Sequence, residues 1–299
     1  MLLKILTWNI NFVHDDWFNR IHIINDILKA NINNVDIIAL QEATLPFSKK
    51  LSEMYTFLLK SNMNAFDSGL FERTFLYKYI CKLFPLSKKK VSLCFDYIMN
   101  KILYICAYIY SYWGEYLKYL YFKCPIFVMF ICILVLPLFV AGCYFLGMIT
   151  ILNKKINYSK VSSKYIGCRR IQYSIFKYNN KEVLFVNVHL IPGKEKKIKE
   201  RIREIKKLVK FCKKYKNVIL AGDFNDVPNG KIYKYLIKKK YKNVMSELHG
   251  NNVNTFPSNN PIECVDFIWV KGDICIKDAE IFGDEKASDH FGIRATLDI

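Results

Sequence analysis

An acidic and an amide side chain stand two residues apart in the stretch Gly222-Asp223-Phe224-Asn225. The apolar run Asn217-Val218-Ile219-Leu220 precedes them and is typical of a buried strand, and turn-forming residues follow. Because side chains alternate along an extended chain, Asp223 and Asn225 point to the same side. A carboxylate and an amide on one side suit a hard cation and a phosphoryl oxygen. The same pair also occurs in turns where both side chains bond their own backbone.

Other polar residues also follow apolar runs that are predicted to be strands, and strand ends are where α/β proteins place their sites. Carboxylates from separate strands can hold one Mg²⁺ with few protein ligands, and histidine can act as a base or stabilise charge. Together the set predicts metal-assisted attack of water on a phosphate ester, with Mg²⁺, or Mn²⁺ in its place, as the cofactor. Its members are Asn9, Glu42, Asn187, His189, Asp223, Asn225, Asp289 and His290.

Single members of this set have simpler explanations. Asn9 fits a strand-end cap, and a histidine on an apolar strand, such as His189, is more often a hydrogen-bonded core residue than a base. Asp266 lies within the apolar run Val265-Asp266-Phe267-Ile268-Trp269, where a carboxylate is costly to bury unless it is paired. An imidazolium from His290 would satisfy Asp266 and orient the ring. The ordered set is therefore more informative than any one residue.

The elements between these residues alternate between strands and helices. Residues 4–11 and 35–40 are predicted strands, and the apolar residues of 17–28 recur at helical spacing between them. A helix over 198–212 has an apolar stripe and a basic opposite face, which fits either a solvated surface or a ligand-facing one. Paired strands over 164–176 and 182–190 complete an α/β pattern.

The composition indicates an anionic partner. The 299 residues include 45 Lys and Arg against 26 Asp and Glu, a net charge of +19. Nucleic acid and an acidic membrane surface both fit that charge, as does a Lys-rich composition without functional meaning. Ten cysteines are scattered without a Cys-x-x-Cys pair, which argues against a zinc site or a disulfide framework and favours a reducing compartment.

An uncharged run of 30 residues, 124–153, interrupts the globular pattern and is predicted to be a membrane segment. Glu42 precedes the run and the later candidate residues follow it, so a single active site requires an even number of membrane crossings, or none. A two-pass hairpin with residues 98–121 and a segment that bends and re-enters at Pro137 both satisfy this. Lysines flank both ends of the insert, which predicts a membrane-bound protein whose catalytic domain faces the cytoplasm.

Five motifs occur in the order expected of one superfamily. Over roughly residues 1–60 and 160–299 the chain resembles the endonuclease/exonuclease/phosphatase superfamily, which includes deoxyribonuclease-I-like nucleases, neutral sphingomyelinases and inositol polyphosphate 5-phosphatases. The resemblance implies a four-layer α/β sandwich of two packed mixed β-sheets. The motifs are Thr7-Trp8-Asn9-Ile10, Leu40-Gln41-Glu42, Asn187-Val188-His189-Leu190, Gly222-Asp223-Phe224-Asn225 and Ser288-Asp289-His290-Phe291.

This resemblance divides the chain into three parts. Residues 1–60 and 158–299 would form the two halves of the catalytic domain, and residues 61–157 an aromatic, membrane-associated helical insert with its apolar core at 124–153. The chain departs from the family pattern in this insert, where further strands are usual, and at Cys264, where an arginine is common. The Trp-Cys-Asp-Arg signature of the 5-phosphatases is absent, which disfavours that branch.

The resemblance also implies roles for the motif residues. Glu42 would ligate Mg²⁺, with Asn9 beside it and Asp289 contributing. His290 would act as general base or phosphate contact, and Asp266 would orient it. The remaining roles are activation of the attacking water by Asp223, stabilisation of the developing charge by His189, and contact with the substrate phosphate by Asn187, Asn225 and His290.

Three functions follow from these expectations. The leading one is a membrane-associated, Mg²⁺-dependent phosphodiesterase that acts on a phospholipid headgroup, similar to a sphingomyelinase. The second is a nuclease of the same fold that uses its basic helices on a nucleic-acid backbone, DNA or RNA. The third is a membrane-tethered binding protein with an inactive site, which is disfavoured because every charged residue that the site requires is present. Charge alone does not separate the first two.

Overall fold

Two six-stranded β-sheets form the centre of the molecule. The computed structural model describes residues 2–11, 17–43, 63–67, 148–167, 169–193, 197–250 and 253–299. The strands are β1 (Leu2–Asn9), β2 (Ile37–Gln41), β3 (Met63–Asp67), β4 (Met148–Asn153), β5 (Tyr158–Tyr165), β6 (Arg170–Tyr178), β7 (Lys181–His189), β8 (Asn217–Asp223), β9 (Lys242–Asn243), β10 (Asp266–Lys271), β11 (Cys275–Phe282) and β12 (Gly292–Asp298). The helices are α1 (Trp17–Ile32), α2 (Ile198–Cys212), α3 (Lys231–Lys238) and α4 (Val244–His249).

Both sheets are mixed. The first has the strand order β11-β12-β1-β2-β4-β3 and the second β5-β6-β7-β8-β10-β9. Within each sheet one described pair is parallel, β1 with β2 in the first and β7 with β8 in the second. Parallel neighbours need a crossover connection, which α1 and α2 provide. The carboxyl ends of each parallel pair therefore lie together at one edge of their sheet.

Alternating side chains on the strands bury their apolar groups in different layers. Ile5 of β1 and Phe185 of β7 belong to the core between the two sheets. Their neighbours face outward, where Leu6 packs in a cluster with α1 and Val186 packs in a cluster with α2 and α3. The order of layers is thus helix, sheet, sheet, helices, which confirms the prediction of two packed mixed sheets and gives the four layers of the expected sandwich.

The predicted membrane segment requires a correction at its end. Residues 148–153 form β4, which pairs antiparallel with both β2 and β3. Five of these six residues are buried, from Met148 to Leu152, so both faces of the strand are covered and its sequence is continuously apolar. A short apolar run of this kind cannot be assigned by hydropathy alone. The predicted membrane segment extended over β4 because the strand directly continues a longer uncharged run.

The predicted boundaries of the insert also change. Both β3 and β4 fall within the predicted insert 61–157, yet they belong to the first sheet, so they supply strands that the sequence seemed to lack. The predicted strand over 164–176 is the end of β5, a turn and most of β6. Residues 68–147, with the proposed hairpin, Pro137 and the apolar residues 124–147, lie outside the described residues. Among the described helices, none combines the length and apolar character that a bilayer crossing demands.

Candidate active site

The registers of both sheets bring the predicted site residues to one edge of the sandwich. Asn9 ends β1, and Glu42 follows the last residue of its parallel neighbour β2. In the second sheet, His189 at the end of β7 pairs with Asp223 at the end of β8. Asp223 pairs in turn with Asp266, the first residue of β10. The core packs the sheets face to face, so these two rows of residues meet.

Asn9 joins the two rows. Its Nδ2 donates hydrogen bonds to Oε1 of Glu42 at 3.3 Å and to Oδ2 of Asp223 at 3.1 Å. Nε2 of His189 lies 3.7 Å from each of the same two oxygens. The amino group of Asn9, and not its oxygen, faces the carboxylates, and the predicted place of Asn9 in the metal site stays a prediction. The contacts make Asn9 a residue that orients Glu42 and Asp223.

Tight backbone conformations hold the end of β8. The residue before Asp223 is Gly222, with φ of +143°, and a Cβ there would lie 1.9 Å from the carbonyl oxygen of Val188, so a side chain has no room. Oδ1 of Asp223 accepts a hydrogen bond of 2.7 Å from the backbone N–H of Asn225, which has φ of +50°. Nδ2 of Asn225 donates to the carbonyl oxygen of Leu190 at 3.0 Å. This loop therefore fixes both residues of the central motif.

Asp266 and His290 form the predicted pair. Nδ1 of His290 lies 2.9 Å from Oδ2 of Asp266, and the hydroxyl of Thr255 donates to the same oxygen at 2.7 Å. The Asp266 side chain is fully buried. Nε1 of Trp8 donates to the carbonyl oxygen of His290 at 2.8 Å, which ties the histidine to β1. These contacts confirm the predicted proximity of Asp266 and His290 and leave Nε2 of His290 as the ring atom that can meet a substrate.

Burial and neighbouring charges shift the pKa values of three site residues. Burial, together with the nearby Asp266 carboxylate, raises the pKa of the Asp223 carboxyl to about 7. Burial opposes the charged form of His290, but Asp266, with Asp223 and Asp289, outweighs it and raises the pKa of the imidazole to about 10. Burial lowers the pKa of His189 well below its usual value, and positive neighbours add to this effect. The two histidines therefore differ near neutral pH, His290 being charged and His189 neutral.

Asn187 of β7 lies between the two sheets. Its side chain is fully buried between the sheets, where Nδ2 donates to the carbonyl oxygens of Leu40 and Ile149 at 3.2 and 3.1 Å. Its Oδ1 accepts a hydrogen bond of 2.8 Å from Nε2 of Gln41. These contacts use the polar atoms of Asn187 to join β7 to β2 and β4. The predicted contact of Asn187 with a substrate phosphate stays a prediction.

Two further residues belong to the site although the sequence did not indicate them. Glu204 of α2 is buried, and its two carboxylate oxygens accept hydrogen bonds from the backbone N–H groups of Arg169 at 3.1 Å and Ile191 at 2.9 Å. Arg169 lies close enough to Glu42 and His189 for its charge to lower the pKa of both, against or alongside the larger effect of burial. Glu204 thus holds two loops beside the site, and Arg169 is a candidate contact for an anionic substrate.

The donor set fits a divalent cation. Within the described residues, buried Oδ1 atoms of Asp266 and Asp289 have no hydrogen-bond partner, and Asp223, Asp266 and His290 offer ligand atoms within 4.8 Å of one another. Asp266 and His290, however, form a hydrogen bond with each other. The side chains of Glu42 and Asp289 are 21% and 33% exposed. Glu42 and Asp289 are therefore the better candidates to hold a hard cation.

Solved structures share this fold. An endonuclease/exonuclease/phosphatase from Bacteroides vulgatus has a TM-score of 0.64 at 14% identity and covers 100% of this chain and 99% of that one. A humanized D. rerio TDP2 has a TM-score of 0.63 at 12% identity, with 100% and 99% covered. A family protein from Leptotrichia buccalis has a TM-score of 0.60 at 14% identity, with 99% and 100% covered. At such identities the likeness establishes the fold alone.

Sequence comparison gives the family. A search of curated proteins found no match to this sequence. The model of the endonuclease/exonuclease/phosphatase family, in contrast, matches residues 6–290, from β1 to His290. That range contains four of the five motifs and the fifth as far as His290, and it includes every strand except β12 and the start of β1. The chain belongs to the endonuclease/exonuclease/phosphatase family, and its enzyme class is that of the metal-dependent phosphoric ester hydrolases.

Proposed function

We propose that the chain hydrolyses a phosphodiester in a reaction that depends on a divalent cation, with Mg²⁺ as the favoured ion. The observation that carries the proposal is the convergence of Glu42, Asp223 and the Asp266–His290 pair from separate strands at one edge of the sandwich. Such a site combines negative charge for a metal, a buried carboxylate beside it and a protonated imidazole. These are the groups that attack of water on a phosphate requires.

Each residue has a distinct role in this reaction. Glu42 and Asp289 would hold the cation, which when bound supplies positive charge to a phosphoryl oxygen. Asp223 orients the attacking water and accepts its proton, since a pKa of about 7 suits a base near neutral pH. The water oxygen forms a bond to phosphorus as the bond to the leaving oxygen breaks. His290 donates a hydrogen bond from Nε2 to the phosphoryl group, and Asp266 keeps that ring oriented.

Hydrolysis of bis(p-nitrophenyl) phosphate tests this proposal without reference to a natural substrate. We expect turnover in Mg²⁺, loss of turnover in EDTA, and a large loss in Asp223→Asn. Asp273→Asn is the matched control, because Asp273 is an exposed aspartate that pairs with Lys216 away from these strand ends. Turnover that survives EDTA, or that is equal in the two variants, would contradict the proposed roles.

Nucleic acid is the substrate that we favour. The exposed face of α2 carries lysines at 206, 207 and 210, and further exposed lysines follow the helix at 213 and 214, which suits a phosphate backbone. Arg169 extends this positive charge to the site. The phospholipid expectation drew its main support from the apolar run 124–153, and the last six residues of that run are β4. Cleavage of a labelled oligonucleotide is the direct test.

A phospholipid headgroup remains the second candidate, with sphingomyelin as the test lipid. Val227 and Ile262, on loops beside the site residues, are 37% and 65% exposed, and apolar residues at a site mouth suit a lipid surface. This alternative predicts phosphocholine release from mixed micelles without oligonucleotide cleavage. It also keeps the proposal of a cytoplasmic catalytic domain on a membrane, for which tags at Met1 and Ile299 must be equally accessible in selectively permeabilised cells.

A further inference from the structure

A positively charged groove lies on the outer face of the second sheet, away from the residues of the active site. Its volume is about 510 Å³, and it runs between the end of β5 and the C-terminal half of α2. None of the described residues that line it is acidic. The described part of the chain contains no carboxylate that pairs with its lysines. We call this feature the lysine groove, and its lysines are Lys164, Lys207, Lys210, Lys213 and Lys214.

Aromatic rings alternate with these lysines. Tyr165 is 55% exposed at the groove, and the guanidinium of Arg170 lies 5.5 Å from the centre of its ring. Phe211 is half-buried, and the ammonium groups of Lys164 and Lys214 lie 5.0 and 5.5 Å from its ring centre. Cations beside aromatic faces supply the two contacts that unpaired nucleotides use, namely phosphate pairing and base stacking. Phe211 also packs against the outer core of the second sheet, so the exposed Tyr165 is the ring that we expect to stack with a base.

The groove leads toward the active site. α2 crosses back from β7 to β8, so its first turns lie near the carboxyl end of β7 and its last turn lies at the opposite end. Glu204, one turn before Lys207, holds the backbone of Arg169 at 3.1 Å. Arg169 follows the β5 end of the groove along the chain, and its charge acts on Glu42 and His189. Arg169 is thus a positive residue between the β5 end of the lysine groove and the catalytic residues.

The shape of the surface favours a nucleic-acid strand over a membrane as the partner of the lysine groove. The active site lies at the strand ends, whereas the lysine groove lies on the outer side of the second sheet, beside α2, so the two surfaces face different directions. A flat bilayer cannot contact both, but a flexible strand can. The groove is also concave, which suits a chain lying in it. We propose that the lysine groove binds single-stranded nucleic acid and guides it past Arg169 into the active site.

Direct binding of a labelled strand tests the groove. We would measure the anisotropy of a fluorescein-labelled oligothymidylate with the full chain in EDTA, which prevents cleavage. The double variant Lys207→Glu and Lys210→Glu should bind about tenfold more weakly, and the slope of its log affinity against log salt should become shallower by about 0.7 for each phosphate that it no longer neutralises. Tyr165→Ala should weaken binding about fivefold, because a base can no longer stack on the ring. These residues are exposed, so the thermal midpoint should not change.

The matched control is the double variant Lys234→Glu and Lys238→Glu, which makes the same charge change on exposed lysines of α3 outside the groove. It should bind the strand within about twofold of the unmodified chain, since salt-dependent affinity follows the phosphate contacts themselves. Equal loss in both double variants would overturn the proposal, because only net charge would then matter. A groove variant that loses binding to phosphatidylserine vesicles but keeps oligothymidylate binding would also overturn it, in favour of a membrane surface.

The proposal that the groove guides a nucleic-acid strand to the active site rests on the proposed function. A small substrate and an oligonucleotide distinguish failure of the groove proposal from failure of the proposed hydrolysis. The groove variant should hydrolyse bis(p-nitrophenyl) phosphate normally while its KM for an oligonucleotide rises and its kcat does not change. If the small substrate is hydrolysed but no strand binds, the groove proposal fails and the phosphodiesterase proposal stands. If a strand binds in the groove but neither substrate is hydrolysed, the proposed function fails and the groove proposal stands.

Discussion

Replacing Asp266 by asparagine removes one charge while preserving the size of the side chain. The oxygen of asparagine can still accept hydrogen bonds from Thr255 and from Nδ1 of His290, so the ring should keep its place. The imidazole loses the carboxylate that raises its pKa to about 10. If that pKa falls to its usual value near 6.5, the charged fraction at about pH 8 drops from about 99% to about 3%. We expect kcat to fall by about 10²–10⁴-fold, the range of a missing acid–base group.

Two measurements check this prediction. The pKa of the His290 imidazole can be followed by NMR in EDTA, and hydrolysis of a small phosphodiester gives kcat across the same pH range. In Asp266→Asn the imidazole should titrate near neutral pH, and residual activity should fall as pH rises through that new value. Asp273→Asn should alter neither. An unchanged imidazole titration in Asp266→Asn would refute the reasoning, because the carboxylate would then not be the source of the raised pKa.

Three more predictions concern other parts of the site. Glu42→Gln should lower kcat by about 100-fold or more and weaken Mg²⁺ binding, since a hard cation loses a charged ligand; unchanged Mg²⁺ dependence would remove Glu42 from the metal site. Asn187→Leu should lower the free energy of unfolding in urea by about 2–4 kcal/mol, because Gln41 and two backbone carbonyls lose buried partners, with KM unchanged; a raised KM at normal stability would support the predicted phosphate contact. Mg²⁺ affinity should rise as pH rises through about 7, because a cation held by Glu42 and Asp289 disfavours the protonated form of the nearby Asp223, whose pKa is about 7; calorimetry in buffers of different ionisation enthalpy should detect the proton released, and a pH-independent affinity would contradict this.

The sequence predicted which residues gather at the site because strand ends are local features and parallel pairing brings them together. Asn9, Glu42, His189 and Asp223 all follow apolar runs, and the registers of the sheets place them in two facing rows. The Asp266–His290 contact was also predictable, since a carboxylate in an apolar run needs a partner. In these cases a simple local rule and the tertiary structure agree.

How deeply each polar side chain lies within the sandwich was not predictable from the same sequence patterns. Asn187 and His189 are two residues apart on β7 and so point to the same side, but Asn187 is one step further from the strand end and contacts the facing sheet. Glu204 lies in a Lys-rich helix whose sequence is typical of a solvated face, and its partners Arg169 and Ile191 belong to separate loops. Such contacts depend on how helices and sheets pack, which no periodicity in the sequence records.

The pairing of β3 with β4 has a consequence for the segment between them. Asp67 and Ile149 are register partners in an antiparallel pair, so residues 68–147 leave and rejoin the sheet at backbone positions about 5 Å apart. Closing a loop of 80 residues in place of a four-residue turn costs only roughly 3 kcal/mol of chain entropy. The chain entropy of this connection therefore depends only weakly on its length, so the pairing of β3 with β4 does not fix the number of residues that join them.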